Sequence, residues 1–192
     1  MDLIQKMEAY AKEHHVPIME KDGIEFLLRF IDEQNCKNIL EIGSAIGYSA
    51  IRMAMLADDI HVDTIERDEE RYHLAKQNIQ EAKLENQINI QLADALEASV
   101  SGRYDLIFID AAKAQYIRFF ERYEPYLQTG GYILSDNLGF HGMVSGEVIP
   151  KSRATRALVR KIKLYIDYLK ENKKYETQFY EIGDGIAVSK KR

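Results

Sequence analysis

The chain has 192 residues, 46% hydrophobic and 30% charged, enough for one ordinary domain with a substantial core and normal for a soluble globular protein. No apolar run approaches the roughly 20 residues that span a bilayer, nothing resembles a signal peptide, and the single cysteine, Cys36, excludes an intrachain disulfide and a cysteine-rich zinc site. A reducing cytoplasm is the expected home, with no membrane contact. The net charge of −5 is uneven: residues 1–150 hold 14 Lys/Arg against 26 Asp/Glu, and residues 151–192 hold 12 against 5. A basic segment on an acidic protein suits an anionic partner such as RNA, but a solvated amphipathic helix with a charged tail has the same composition.

Residues 3–14 and about 20–35 have apolar residues at helical spacing, with Pro17 between them. Strands and helices then alternate. "KNILEIG" predicts a strand and "GYSAIRMAML" a helix; "IHVDTIE" predicts a strand, and residues 68–83 a helix with Asp68 as N-cap. "QINIQL" is a strand, and a short helical turn follows Asp94. "YDLIFID" is a strand, 114–127 a helix, "GGYILSD" a strand and 152–172 a long helix. "YETQFYEI", Gly183-Asp184-Gly185 and "IAVSK" read as a closing hairpin. Such βαβ alternation predicts an α/β fold: one domain over 1–192, with a seven-stranded, mostly parallel sheet, helices on both faces and an antiparallel C-terminal hairpin.

"LEIGSAIGYSAI" ends a strand at Ile42 and enters a helix through Gly43-Ser44-Ala45-Ile46-Gly47. The glycines permit a tight turn and close approach of a ligand, and a helix N-terminus offers free N–H groups to a carboxylate or phosphate. Ser49 would add a donor. The spacing is neither the dinucleotide fingerprint nor a P-loop, which disfavours a nicotinamide oxidoreductase. Glu66 ends the second strand, where an acid accepts from both ribose hydroxyls, and Asp94-Ala95 end the third, where an acceptor would meet an exocyclic amine. Taken alone, the glycines need only make a turn. Together the three strand ends suit a ligand with a carboxylate, a ribose and an adenine.

"FIDAAK" ends the fourth strand in Asp110, with Lys113 three residues on, and "SDN" ends the fifth in Asp136-Asn137. Each has a bland alternative: a helix cap, a solvated lysine, a turn. At two neighbouring strand ends, the three oxygen donors suit Mg²⁺, with about three of its octahedral positions left for waters or substrate oxygens. Lys113 would take a substrate hydroxyl's proton as general base.

These motifs resemble the S-adenosylmethionine site of class I methyltransferases, and "GSAIGYSAIRMA" resembles the catechol O-methyltransferase-like family in particular. The resemblance runs from "VPIMEKDG" to the last strand. It implies the Rossmann-like class I methyltransferase fold, with residues 1–35 as helices covering the cofactor and 36–192 as the core. It implies S-adenosylmethionine held by Met19, Gly43, Ser49, Glu66, Asp94, Ala95 and Asp110, and Mg²⁺ held by Asp110, Asp136 and Asn137. Lys113 is the implied catalytic base, and a homodimer is implied. Family members usually carry a further N-terminal helix before the segment that opens this chain.

The chemistry calls for a hydroxyl beside a second oxygen, as in catechols or 5-hydroxyuridine. "MEAYAKEHHVPIMEKDGIEFLL", "IERDEERY" and "GDGIAVSKKR" resemble the bacterial branch that methylates 5-hydroxyuridine at the tRNA wobble position. On that reading Lys151, Arg153, Arg156, Arg160, Lys161 and Lys163 would meet phosphates of the anticodon stem. The alternatives are a small-molecule catechol or phenol O-methyltransferase and a non-catalytic S-adenosylmethionine-binding module. His14 and His15 lie near the end of the first helix, where a cap or surface role is expected, and His61 and His73 lack partners at metal spacing. His141 follows the "DN" loop and is a weaker candidate for touching substrate. Tyr48 and Phe140 would wall the pocket or fill the core.

Overall fold

The computed structural model describes residues 2–192. Helix α1 (Leu3–Glu13) starts at Asp2, whose carboxylate accepts from Gln5 N while the Gln5 side chain reaches back to the cap. Helix α2 (Lys21–Glu33) buries Ile24, Leu27, Phe30 and Ile31, the three-and-four spacing of a helix with one apolar face. The alternating part follows as β1 (Asn38–Ile42), α3 (Tyr48–Ala54), β2 (His61–Glu66), α4 (Glu69–Glu81), β3 (Ile88–Leu92) and β4 (Tyr104–Ile109). It continues as α5 (Tyr116–Tyr123), β5 (Leu127–Ser135), α6 (Arg153–Glu171), β6 (Tyr175–Tyr180) and β7 (Ile186–Lys191). Asp68 caps α4 as expected, accepting from Arg71 N at 3.0 Å.

One expected element is divided. The helix expected over 114–127 is a 3-10 turn (Lys113–Gln115), then α5, then a second 3-10 turn (Glu124–Tyr126). Pro125 has no N–H to continue the ladder of α5, and it sits at the start of the second 3-10 turn, where no such donor is needed. Strand β5 therefore starts at Leu127, ahead of its glycine pair.

All seven strands form one sheet in the order β3-β2-β1-β4-β5-β7-β6. The first five are parallel, and β7 runs antiparallel to both β5 and β6. Side chains alternate between the faces. Leu106 and Phe108 of β4 join the core beneath α1, α2 and α3, and Ile107 and Ile109 join the core beneath α5 and α6. Each fully buried side chain of this size contributes roughly 1.5–3 kcal/mol. The chain builds outward from β1 to β3 and then crosses back to β4, so strand order reverses between β1 and β4. Open α/β sheets bind ligands outside the carboxyl ends at such a point.

Candidate active site

A cavity of about 340 Å³ opens at that reversal. Met19, Gly43, Ser49, Glu66, Asp94, Ala95, Asp110, Lys113 and Asn137 all line it, and Asp136 lies buried beside them. The strand ends thus gather the expected residues in one place.

Gly43 fixes one wall of the cavity. Its φ is +99°, and a Cβ there would lie 2.2 Å from the Asp110 carbonyl oxygen, so only glycine lets the turn after β1 meet the end of β4. Glu41, wholly buried beneath the turn, accepts hydrogen bonds from the Ser49 hydroxyl and from Thr64 Oγ1, the latter at 2.5 Å. Burial pushes its carboxyl up to about 7, against those two hydrogen bonds, and the charges of Asp110 and Glu66 push the same way as burial. A hydroxyl has one hydrogen, so Ser49 cannot donate to Glu41 and to a ligand carboxylate at the same time.

Glu66 is held by main chain. Its Oε2 accepts from Ala45 N (2.8 Å), and its Oε1 accepts from Arg67 N and Asp68 N (both 2.9 Å). A carboxylate has about four acceptor sites, so one remains for a ligand hydroxyl. Asp94 is exposed and caps its own turn through Leu96 N at 2.8 Å. The Ala95 carbonyl already accepts from the Tyr123 hydroxyl at 2.5 Å, which leaves the Asp94 carboxylate as the freer acceptor.

The opposite corner is crowded with acid. Asn137 Nδ2 donates to Asp110 Oδ1 and Asp136 Oδ2, each at 3.0 Å. Burial raises the pKa of both carboxyls. Asp110 raises that of Asp136 further, while Lys113 and the Asn137 amide draw that of Asp110 back down. One amide N–H₂ group is all that stands between the two acids. Among the described residues no group of three or more His, Cys, Asp or Glu side chains is placed to hold a metal. Two carboxylates and an amide nonetheless form a hard-oxygen donor set, once the Asn137 amide turns its oxygen inward. The residues fit a divalent cation. Lys113, on the 3-10 turn after β4, holds its ammonium 5.7 Å from the Phe140 ring centre.

Several wall residues lie outside the sequence expectation: Arg67, Arg71, Leu96, Gln115 and Phe119. Tyr48 does wall the cavity, and its hydroxyl donates to Glu8 at 2.8 Å, tying α1 to α3. His14, His15, His61 and His73 stand away from the cavity walls. The six basic residues of 151–163 are all exposed, and among the described residues none of them forms an ion pair. All but Lys151 lie on α6, which packs against the turn that carries Lys113. No helix among the described residues is long and apolar enough to cross a membrane.

The sheet order and a cavity at the strand reversal define a Rossmann-like methyltransferase fold. By its match over residues 2–192, the chain belongs to the O-methyltransferase family. It is 31% identical over 186 residues to caffeoyl-CoA O-methyltransferase 2 of Petunia hybrida, covering 88% of this chain and 74% of that protein. A caffeoyl-CoA O-methyltransferase-like protein from Staphylococcus aureus superposes with a TM-score of 0.95 at 42% identity, covering 100% of this chain and 93% of that one. An O-methyltransferase from Bacillus cereus, solved in complex with SAH, gives a TM-score of 0.84 at 24% identity, covering 100% and 92%, and shares the fold.

Proposed function

We propose that the protein transfers the methyl group of S-adenosylmethionine to a hydroxyl that stands beside a second oxygen, with Mg²⁺ as the assisting ion. One observation carries this: a ribose-type acceptor, Glu66, and an acid-amide-lysine corner face the same cavity. The SAH seen in the Bacillus cereus relative supports the cofactor. Glu66 and the turn after β1 would hold it, with Met19 packed alongside and Asp94 toward the adenine. Asp110, Asp136 and Asn137 would hold the ion. When bound, S-adenosylmethionine supplies the methyl group and the ion polarises the hydroxyl as a Lewis acid. Lys113 takes the hydroxyl proton, with the Phe140 ring centre 5.7 Å from its ammonium. The remaining work is orientation of oxygen, methyl carbon and departing sulfur on one line.

A small molecule with vicinal oxygens satisfies this geometry. Helix α6 packs against the Lys113 turn and exposes a row of basic side chains, which favours a second reading in which the hydroxyl belongs to 5-hydroxyuridine in a tRNA anticodon loop. Labelled methyl transfer to free catechols and to hypomodified tRNA separates the two. Incorporation into tRNA that fades at high salt supports RNA, and transfer only to free catechols rejects it. EDTA should abolish either activity and Mg²⁺ restore it. Cofactor binding with no turnover on any vicinal-oxygen substrate would leave a binding module and overturn the catalytic part.

A further inference from the structure

The loop after Asn137 holds a second polar pair. Asp184, in the turn between β6 and β7, is only 8% exposed, and its Oδ2 is fully buried with no hydrogen-bond partner among the described residues. A buried carboxylate oxygen left unpaired is costly, so its surroundings identify the group it is built to meet. The nearest candidate is the His141 imidazole, with Nδ1 3.6 Å from Oδ2, just beyond hydrogen-bond length. The other carboxylate oxygen already accepts from His141 N.

The surrounding backbone is arranged around this contact. Phe140 and His141 both have positive φ, 46° and 54°, a conformation that bulky side chains adopt only when something holds them there. The Gly183-Asp184-Gly185 turn does the holding. Gly139 N donates to Asp184 O at 2.5 Å, and Leu138 N donates to Gly185 O at 2.9 Å. A Cβ on Gly185 would stand 2.8 Å from Gly139 N, so the two loops touch at van der Waals distance. The strained pair starts three residues after Asn137. The Phe140 ring centre lies 5.7 Å from the Lys113 ammonium and 5.9 Å from the His141 ring centre. The His141 side chain is 64% exposed, four residues after Asn137.

We infer that His141 is a substrate-contacting residue of the acceptor site and that Asp184 is its positioning residue. The carboxylate receives Nδ1–H and leaves Nε2 as a fixed hydrogen-bond acceptor for an N–H or O–H next to the methylated hydroxyl. The inference rests on the proposed methyl transfer for its substrate class, but the Asp184–His141 pairing stands without it. The tautomer follows from elementary imidazole chemistry: a ring whose Nδ1–H is held by a carboxylate presents its lone pair at Nε2. The acceptor would favour substrates with a donor beside the reacting oxygen over those whose second oxygen is methylated.

Two measurements test it. Long-range ¹H–¹⁵N spectra at about pH 8, where an ordinary imidazole is neutral, report each tautomer without substrate or cofactor. His141 is assigned by the signal lost in His141→Gln. The Nδ1–H form is expected in the wild type and the Nε2–H form in Asp184→Asn, which keeps an acceptor for His141 N but cannot accept from Nδ1. An Nε2–H ring in the wild type overturns the pairing. The second measurement is steady-state kinetics with a catechol bearing both hydroxyls. Asp184→Asn and His141→Gln should each raise KM about tenfold, the scale of one charge-assisted hydrogen bond, with kcat changed less than about twofold and the double variant no worse than either single. Unchanged KM in His141→Gln removes the substrate contact even if Asp184→Asn fails to fold. A wild type inactive on every vicinal-oxygen substrate refutes the proposed reaction and the substrate contact, while the tautomer spectra still decide the pairing.

Discussion

Two carboxylate corners belong to the one cavity, and they are built in opposite ways. Glu66 is wrapped by three main-chain N–H groups, from Ala45, Arg67 and Asp68. Asp110 and Asp136 share one amide and repel one another, with pKa values pushed upward. A carboxylate that accepts several backbone N–H groups is already stable and waits only for a ligand hydroxyl. A pair of acids that stays ionised only at a cost in energy waits for positive charge. The difference teaches which corner is a preformed cradle and which is an electrostatic deficit that a cation makes good.

The sharpest way to break that contrast is Lys113→Met. Turnover should fall about 10³-fold, the range of a lost general base, while calorimetric affinity for S-adenosylmethionine stays within about twofold. Retained turnover removes Lys113 as the base. Gly43→Ala strikes both corners together, because its Cβ meets the Asp110 carbonyl. It should cost about 3 kcal/mol in denaturant unfolding, and a change within about 0.5 kcal/mol would mean the two walls are not in contact. Glu66→Gln should weaken cofactor binding about 10–100-fold, through the ribose contact and the backbone cluster it anchors, with a much smaller change in saturated turnover. A loss of turnover at full cofactor occupancy would contradict the division between corners.

The smallest expected effect is on stability against pH. Glu41 is raised to about 7 by burial, so the native state holds a proton that the unfolded chain releases above the ordinary glutamate value of about 4.3. Its contribution is therefore greatest at low pH and declines between about 4 and 7, by at most about 1.4 kcal/mol per pH unit. Glu41→Gln should flatten that slope in urea titrations of the metal-free protein. An unaltered slope would assign the proton elsewhere.

The strand ends were legible because buried parallel strands must be apolar, and a charged residue closing such a run stands out. "FID", "TIE" and "LSD" announce themselves in this way. The glycine turn was legible because Gly43 serves the backbone rather than a side chain. Partners separated far along the chain were not. Nothing in "LEIG" shows that Glu41 will take the Thr64 hydroxyl, 23 residues after it, and nothing in "GDG" shows that Asp184 will reach His141, 43 residues before it. A turn composition explains "GDG" fully by itself. Phe119 and Gln115 were hidden differently: helical spacing placed an apolar face on α5, but the bend at its start decides which residues look into the cavity. Pro125 was visible, and reading it as a helix stop would have given the right boundary.

Strand β7 is inserted antiparallel between β5 and β6, with Ala187 paired to Ser135. Its first residues therefore arrive at the reactive edge of the sheet, beside the end of β5, although they come late in the chain. During synthesis the glycine turn, the acids and the lysine all leave the ribosome before the segment that braces the loop over them. A nascent chain stalled short of that hairpin would carry every donor atom for metal and cofactor but no finished rim for the acceptor.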